Sequence, residues 1–424
     1  MHFGTRMSDF FEWNFTPPQS APIGDHDVMP QSAHLAGRRI ALLVCGGIAA
    51  MKTPEIARAL RRRSAEVVAF CSDEALQYVG REALEWATCQ PLITRLTWRA
   101  EHLSDSTPFD AYLVAPATYN TIGKIAAGIA DTVVTSAIAS AIGRMRQGAT
   151  RVLIAPTMHG TMHHEILVKN CRTLAEMGVR VISPRDDYGK HNLPDEGVLV
   201  ASVCRAISKS PLVGKRVLVT AGPTPVPIDG VRRILNRFRG TLGSFIHEDL
   251  LLRGADSHLV LGDGAWHPAS WIPLEIAPSY DEYKEKVLAH ARAQPSFGIF
   301  SAGVADYRPR AAVQGKIPSG RTDLKLELEP TEKIIDLAVA AAPSMFTVSF
   351  KYQEGISRDE LLEIARKRLS QFPVVVANRG EEIQGAQQAA YIVTRESETR
   401  VEGKREIATA ICDLLETKCR SVDG

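Results

Sequence analysis

Short runs of consecutive apolar residues alternate along this chain with stretches whose apolar positions return every three to four residues. In the first half the runs are Arg39–Val44, Glu66–Cys71, Ala111–Ala115, Arg151–Ala155 and Val179–Ser183. Runs this short, without polar alternation, predict strands covered on both faces. Pro54–Arg63 and Asn120–Ala130 carry the helical period between them. The second half repeats the plan with Arg216–Thr220, Ser257–Leu261, Gly298–Ser301, Met345–Phe350 and Pro373–Ala377. Ala390–Thr394 then reads as a further strand and Lys404–Glu416 as a closing helix. Strands alternating with helices predict an α/β fold with two parallel-sheet domains in tandem. The boundaries fall at 37–205 and 213–424, joined by a short polar linker, 206–212, that contains Pro211. Residues 1–36 lack periodicity and read as a mobile extension. The alternative is a docking arm built on Phe10, Phe11, Trp13 and Phe15.

Composition narrows the function. The 424 residues carry 50 basic and 48 acidic side chains, a net charge of +2. No field of one sign points to nucleic acid or a membrane surface. The longest apolar stretches, such as 126–142, are interrupted by Asp131 and fall short of a membrane span. The seven cysteines (45, 71, 89, 171, 204, 412 and 419) are scattered without CxxC spacing, which predicts reduced thiols in a cytosolic protein. No basic segment followed by an apolar core marks a secretory leader.

The chemistry gathers where strands end. Cys45-Gly46-Gly47-Ile48 follows the first strand and opens a helix, so backbone N–H groups there can approach an anion. The full dinucleotide fingerprint is absent, and a mononucleotide is the better match. Thr118, Asn120 and Thr121 follow the third strand, where α/β folds bind ligands, although one of them would also serve as a helix N-cap. The strings GGIAAMKTPE, APATYNTIGKIAAGIAD and APTMHGTMHH resemble the FMN-dependent cysteine decarboxylase family, whose central member acts on phosphopantothenoylcysteine in coenzyme A synthesis. The resemblance spans roughly 38–200. It implies a flavodoxin-like domain, trimer-based assembly, and FMN contacts at Gly46, Gly47, Ile48, Ser72, Thr118, Asn120, Thr121 and Lys124. It also implies His102 as catalytic base, with Asp110 eight positions on, and His159 in place of the asparagine that grips the substrate carboxylate. An imidazole suits the base role because it titrates near neutrality. The family's flap cysteine has no counterpart in SPRDDYGKHNLPDEG, which leaves Tyr188, Lys190 or His191 as replacements. His159, His163 and His164 lack an acidic partner at ligand spacing, which argues against a metal.

The second half opens with GKRVLVTAGPTPVPIDGVRRILNR, which resembles the phosphopantothenate–cysteine ligase family over roughly 213–416. That resemblance implies a Rossmann-like domain, ligase dimers, CTP as co-substrate and Mg²⁺. Phosphopantothenate and cysteine are then the small-molecule partners. Asn236 and Lys316 map to catalytic positions. Ala302, Asp306, Lys316, Phe350 and Arg368 map to the CTP site, with Asp306 also nearest the metal. Two departures stand out. The family's NRSSG reads Asn236-Arg237-Phe238-Arg239-Gly240, and of two later lysine positions one holds Arg368 and the other Phe372. The expected function is therefore a bifunctional ligase and decarboxylase of coenzyme A synthesis. The departures keep two others open: a two-domain flavoenzyme with another substrate or a purely oxidative reaction, and a non-catalytic regulatory flavoprotein.

Overall fold

The computed structural model describes residues 13, 15–103, 107–311, 313–320, 323–384 and 387–423. Phe10 and Phe11 lie outside the described residues.

The first lobe is a five-stranded parallel sheet of β1 (Arg39–Val44), β2 (Glu66–Cys71), β3 (Ala111–Ala117), β4 (Arg151–Pro156) and β5 (Arg180–Val181), in the order β2-β1-β3-β4-β5. All seven residues of β3 are buried. The two-residue period of a strand sorts its apolar side chains between two cores. Leu42 and Val44 point to the face covered by α1 (Thr53–Arg61), through Ile56 and Leu60. Ala41 and Leu43 point to the face covered by α2 (Tyr119–Ala126), through Ile122 and Ile125. Both faces are thus sealed, which is why these strands read as unbroken apolar runs. The run expected at 179–183 narrows to the edge strand β5.

The second lobe places β6 (Arg216–Ala221), β7 (Asp256–Gly262), β8 (Glu275–Ala277), β9 (Phe297–Phe300), β10 (Phe346–Gln353) and β11 (Val374–Arg379) in the parallel order β8-β7-β6-β9-β10-β11. That is the doubly wound 3-2-1-4-5-6 order, against 2-1-3-4-5 in the first lobe. A hairpin of β12 (Gln387–Val393) and β13 (Glu398–Glu402) extends the sheet antiparallel to β11. β13 escaped the sequence reading because its residues are mostly exposed and polar. The closing helix runs on to Asp423 and buries Cys419. Among the described residues no helix is long and apolar enough to cross a membrane.

The lobes dock through α3 (Glu196–Ile207) and α4 (Thr241–Arg253). Arg205 donates to the Leu251 and Ala255 carbonyls, both at 2.9 Å. Glu248, buried on α4, accepts from Arg63 Nη2 at 2.7 Å and Arg405 Nη1 at 3.2 Å. The last part of the N-terminal extension also belongs to this junction. Gln31 N–H donates to the Arg62 carbonyl at 2.7 Å, Leu35 is fully buried, and His34 lies 3.5 Å from Asp249. The extension therefore does not stay loose up to residue 36: Leu35 is an apolar anchor too isolated to register as a pattern.

Glu248→Ala should leave the Arg63 guanidinium buried with Ser32 Oγ, at 3.3 Å, as its remaining partner. Losing one member of a buried pair costs about 3–5 kcal/mol. The expected result is a lower thermal midpoint and faster proteolysis within 206–212.

Candidate functional site

Each lobe has one place where successive crossovers leave in opposite directions, and a crevice opens there at the carboxyl ends of the strands. In the first lobe it lies between β1 and β3. The N–H groups of Gly46 and Gly47 find no backbone acceptor among the described residues, and a short 3₁₀ turn, Ile48–Lys52, leads from them into α1. A Cβ on Gly47 would meet Thr118 Cγ2 at 3.3 Å, so the two loops touch. Thr118 caps α2 by accepting from Thr121 N–H, and the two hydroxyls lie 3.0 Å apart. The capping explanation therefore holds for Thr118 and Thr121. Asn120 is exposed, Ile48 is exposed, and Lys124 pairs with Asp131 at 2.7 Å. Ser72, buried beside the same loops, donates its N–H to the Val44 carbonyl at 3.1 Å. Burial pushes the Cys45 thiol up to about 11 and the Cys71 thiol up to about 12, so neither is a thiolate. Free N–H groups at a turn beside hydroxyls fit a phosphate-bearing mononucleotide.

His102 and Asp110 are not joined. Asp110 accepts from Arg38 Nη1 and from the Arg39 N–H, both at 2.9 Å, and so holds the start of β1, at the opposite end of the sheet from the crevice. His102 keeps a buried Nδ1 without a partner among the described residues. The segment resembling the flap forms a hairpin, Arg185–Asp187 against Lys190–Asn192, and Met158–His159 pairs with its second strand. His159 Nδ1 accepts from the Thr161 N–H at 3.2 Å. The histidines at 159, 163 and 164 form no metal-ligand group. Among the described residues the one such group is His258, Glu275 and His290, whose ligand atoms lie within 4.8 Å. Its carboxylate is already met by His290 at 2.7 Å and Lys286 at 3.6 Å.

The second crevice lies between β6 and β9. Small residues let three backbone segments meet there. A Cβ on Gly240, at φ 74°, would fall 2.5 Å from Gly222 N, and one on Gly243 would fall 2.4 Å from Ser301 Oγ. Asn236 Nδ2 donates to the Gly303 carbonyl at 3.0 Å, fixing the loop that carries Ala302 and Asp306. Phe238, where the ligase family has serine, packs on Gly303 and meets Tyr352 edge-on at 4.9 Å. Arg239 is exposed.

Asp306 meets Lys333 Nζ at 2.5 Å. Arg368 reaches Ser349 Oγ at 3.3 Å and stacks over Phe372 at 5.1 Å from the ring centre. Lys351 follows Ser349 by two residues on β10 and so shares its face. Burial, then Arg368, pushes the Lys351 ammonium below its ordinary value, and Lys333 adds to this while Asp306 opposes it. Lys333 thus pairs with Asp306, and Lys351 lies within electrostatic reach of Arg368, Asp306 and Lys333. Sequence reading missed Lys351; strand alternation from Phe350, which is half-buried on the other face, was the signal for it. A second carboxylate, Asp336, lies within electrostatic reach of Arg368. Few acids among several cations suit a divalent ion held chiefly by phosphate oxygens rather than by a protein cage.

Lys316 stands apart from this group, exposed in a loop beside a cavity of about 430 Å³ lined with Arg310, Lys325 and Glu327. The loop is anchored by Asp229, which sequence reading treated only as part of a signature. Its carboxylate accepts from Val231 N–H (2.8 Å), Arg232 N–H (2.7 Å), Arg232 Nη1 (2.7 Å) and Ile317 N–H (3.0 Å). Gly230 N–H adds a bond to the Gly315 carbonyl at 2.7 Å. Burial alone would raise the Asp229 carboxyl, but these donors hold it down at about 2.

The chain matches two family descriptions: flavoprotein over residues 28–208, and DNA/pantothenate metabolism flavoprotein C-terminal domain over 212–418. It is 35% identical to the coenzyme A biosynthesis bifunctional protein CoaBC of Thermococcus kodakarensis over 397 residues, 91% of this chain and 96% of that one. The CoaBC protein of Methanocaldococcus jannaschii is 27% identical over 400 residues, 92% of this chain and 96% of that one. Among solved structures, the DNA/pantothenate metabolism flavoprotein from Streptococcus pneumoniae is 27% identical, with a TM-score of 0.44, covering 48% of this chain and all of that one.

Asp229→Ala should free the loop, raising amide hydrogen exchange at 230–232 and 313–318 while leaving α1 and α2 protected. A depressed carboxyl stabilises the fold above its unfolded pKa of about 3.9, and that contribution fades as pH falls through the folded value. In the unaltered protein, protection of 313–318 should therefore hold at about pH 4.5 and weaken towards about pH 2.

Proposed function

Because the chain belongs to the family of bifunctional coenzyme A biosynthesis CoaBC proteins, we propose that its second lobe joins 4′-phosphopantothenate to cysteine with CTP and its first lobe decarboxylates the product. The observation that carries this reading is a pair of strand-end crevices in one chain, one built of free N–H and hydroxyl groups and one of cations about a carboxylate.

In the second lobe, the pantothenoyl carboxylate attacks the α-phosphorus of CTP, expelling pyrophosphate and leaving an acyl-cytidylate. The amine of cysteine then displaces CMP and an amide forms. Charge on the departing pyrophosphate must be neutralised, and fixed cations at the strand ends do so without reorganising. Lys333, Lys351 and Arg368 take that role, and Asp306 would help hold Mg²⁺, which would share in neutralising the phosphate charge. Asn236 orders the Gly303 loop against the nucleotide, Phe350 and Ala302 line it, and Lys316 comes from the anchored loop to the reacting carboxylate.

In the first lobe, Gly46, Gly47, Ile48, Ser72, Thr118, Asn120, Thr121 and Lys124 would hold FMN. Bound there, FMN supplies reversible hydride acceptance, which opens the cysteinyl group to loss of CO₂. His102 would take the substrate's proton, and His159 would receive the carboxylate. Assembly around a trimeric flavoprotein core, with paired ligase lobes, follows from the same family resemblance.

Mass spectrometry of the products from CTP, phosphopantothenate and cysteine tests the reading: 4′-phosphopantetheine, CMP and pyrophosphate are expected. Pyrophosphate released without either the acid or the amine would remove the ligase. Lys351→Met should raise KM for CTP at least tenfold with KM for phosphopantothenate little changed, since a single phosphate contact is worth about 1.5–3 kcal/mol. Lys316→Ala should stop amide formation with flavin still bound, whereas His102→Asn should stop CO₂ release with CTP use intact.

A further inference from the structure

A decarboxylation that leaves its substrate's oxidation state unchanged must put a proton where the carboxylate was. In the proposed reaction CO₂ leaves the cysteinyl α-carbon and an enethiol remains. The saturated thiol then needs a hydride at the sulfur-bearing carbon and a proton at the α-carbon. The hydride would be supplied by the flavin chemistry of that activity; the proton needs a donor placed at that carbon. No cysteine occurs between Cys171 and Cys204, and Cys45 and Cys71 are buried beneath the rim.

What the rim offers instead is a line of hydrogen-bonded groups. Asp186 and His191 face each other across the hairpin, and Asp186 Oδ1 accepts from His191 Nδ1 at 2.5 Å. His191 Nε2 lies 2.7 Å from His163 Nδ1. Tyr188 and Gly189 form the two-residue turn, both at positive φ, which sets the register that opposes Asp186 to His191. The hairpin is docked rather than loose. Gly160 N–H donates to the Gly189 carbonyl at 3.0 Å, and a Cβ at Gly160 would fall 2.4 Å from that oxygen. Thr157, at the end of β4, donates its N–H to the Ala117 carbonyl at 3.0 Å, one residue before the Thr118 cap. The line of groups therefore belongs to the same sheet end as the flavin cradle. Beside it is a cavity of about 550 Å³ lined by His163, Asp186, Tyr188, Lys190 and His191.

We propose that His163 is the catalytic acid that protonates the α-carbon after CO₂ loss, with His191 and Asp186 as positioning residues that resupply it. The hydrogen-bond directions fix the protons. With one proton added to the imidazole pair, His191 donates from Nδ1 to Asp186 and from Nε2 to His163 Nδ1, so His163 carries its hydrogen on Nε2. When His163 Nε2–H passes to carbon, the proton on His191 Nε2 moves to His163 Nδ1. Two neutral imidazoles remain, and Asp186 stays ionised. One proton is consumed, one C–H bond forms, and solvent restores the charge through His163 Nε2.

This inference rests on the decarboxylase reading above, and the test separates the two. Full-length protein loaded with FMN is given 4′-phosphopantothenoylcysteine, and CO₂ and thiol products are measured together. The unaltered protein should give the saturated thiol. His163→Gln should still release CO₂ but shift the product at least tenfold towards the enethiol, two hydrogens lighter. Asp186→Asn should shift the ratio in the same direction by a smaller factor. In His163→Gly, added imidazole should restore the saturated thiol, which a merely structural histidine would not allow. Nitrogen NMR of the flavin-free protein gives a reading independent of turnover: Asp186→Asn should change the tautomer of His191 and, through it, that of His163. Saturated thiol at the unaltered ratio from His163→Gln overturns the relay, as does loss of CO₂ release in that variant. No CO₂ from the unaltered protein overturns the decarboxylase reading and the relay with it.

Discussion

Right-handed crossovers decide where this protein can do chemistry. A strand that passes its chain to one side of the sheet and a neighbour that passes it to the other must place their helices on opposite faces. The packing shows this directly. Behind β1 the chain goes into α1, which packs on one core, and behind β3 it goes into α2, which packs on the other. In the second lobe, α4 follows β6 onto one face through Ile246 and Leu250, while the helix at Ile334–Ala341 follows β9 onto the other through Ile334 and Ala338. Neither pair of helices can close the gap between its strand ends. Backbone N–H groups and polar side chains are left facing an opening without disturbing either core. Both proposed reactions draw on that single topological fact.

The openings are shaped by contacts that carry no chemistry themselves. Gly240 and Gly243 allow α4 to start almost on top of Gly222 and Ser301, so the N-terminus of the helix and the strand ends crowd together. Asp229 collects four donors and turns a long loop into a fixed one, at the cost of holding a carboxylate out of water. Glu248 does the equivalent between lobes, where Arg63 and Arg405 approach it from opposite sides. Buried charge is used in both cases where segments far apart in sequence must be held in one geometry. An apolar contact of the same size would hold them less directionally.

The parallel strands were legible because a strand sealed on both faces has to be apolar throughout. β1 and β2 begin and end where the apolar runs do. What escaped was structure that does not rely on burying a run. β13 is an exposed edge strand, and the hairpin at 185–192 is defined by a turn and by cross-strand pairing of polar residues. The wedge at Gln31–Leu35 is held by backbone bonds and one leucine. Site residues divide in the same way. Gly46, Gly47 and Thr118 announce themselves by type and position behind a strand. Lys351, Asp229 and the line from Asp186 to His163 matter through neighbours distant in sequence, and no local pattern encodes those neighbours. The spacing from His102 to Asp110 illustrates the converse, since Asp110 holds a strand start and leaves the histidine alone.

The departures from family pattern in the second lobe also acquire a physical sense. Phe372 stands where the resemblance expects a lysine, and it is buried, with its ring beneath the Arg368 guanidinium. A planar guanidinium stacks on an aromatic face in a way an ammonium does not, so arginine at 368 and phenylalanine at 372 make sense as a pair. Lys351, on β10, lies within electrostatic reach of Arg368, and Asp306 offsets part of its burial. Phe238 follows the same logic. It takes a serine's place but fills the space beside Gly303 that a side chain there would occupy, and its edge contact with Tyr352 ties the loop to β10. The crevice of this chain thus draws its charge from Lys333, Lys351 and Arg368 and one wall from Phe238, and contacts of that kind are not registered by a motif scored residue by residue.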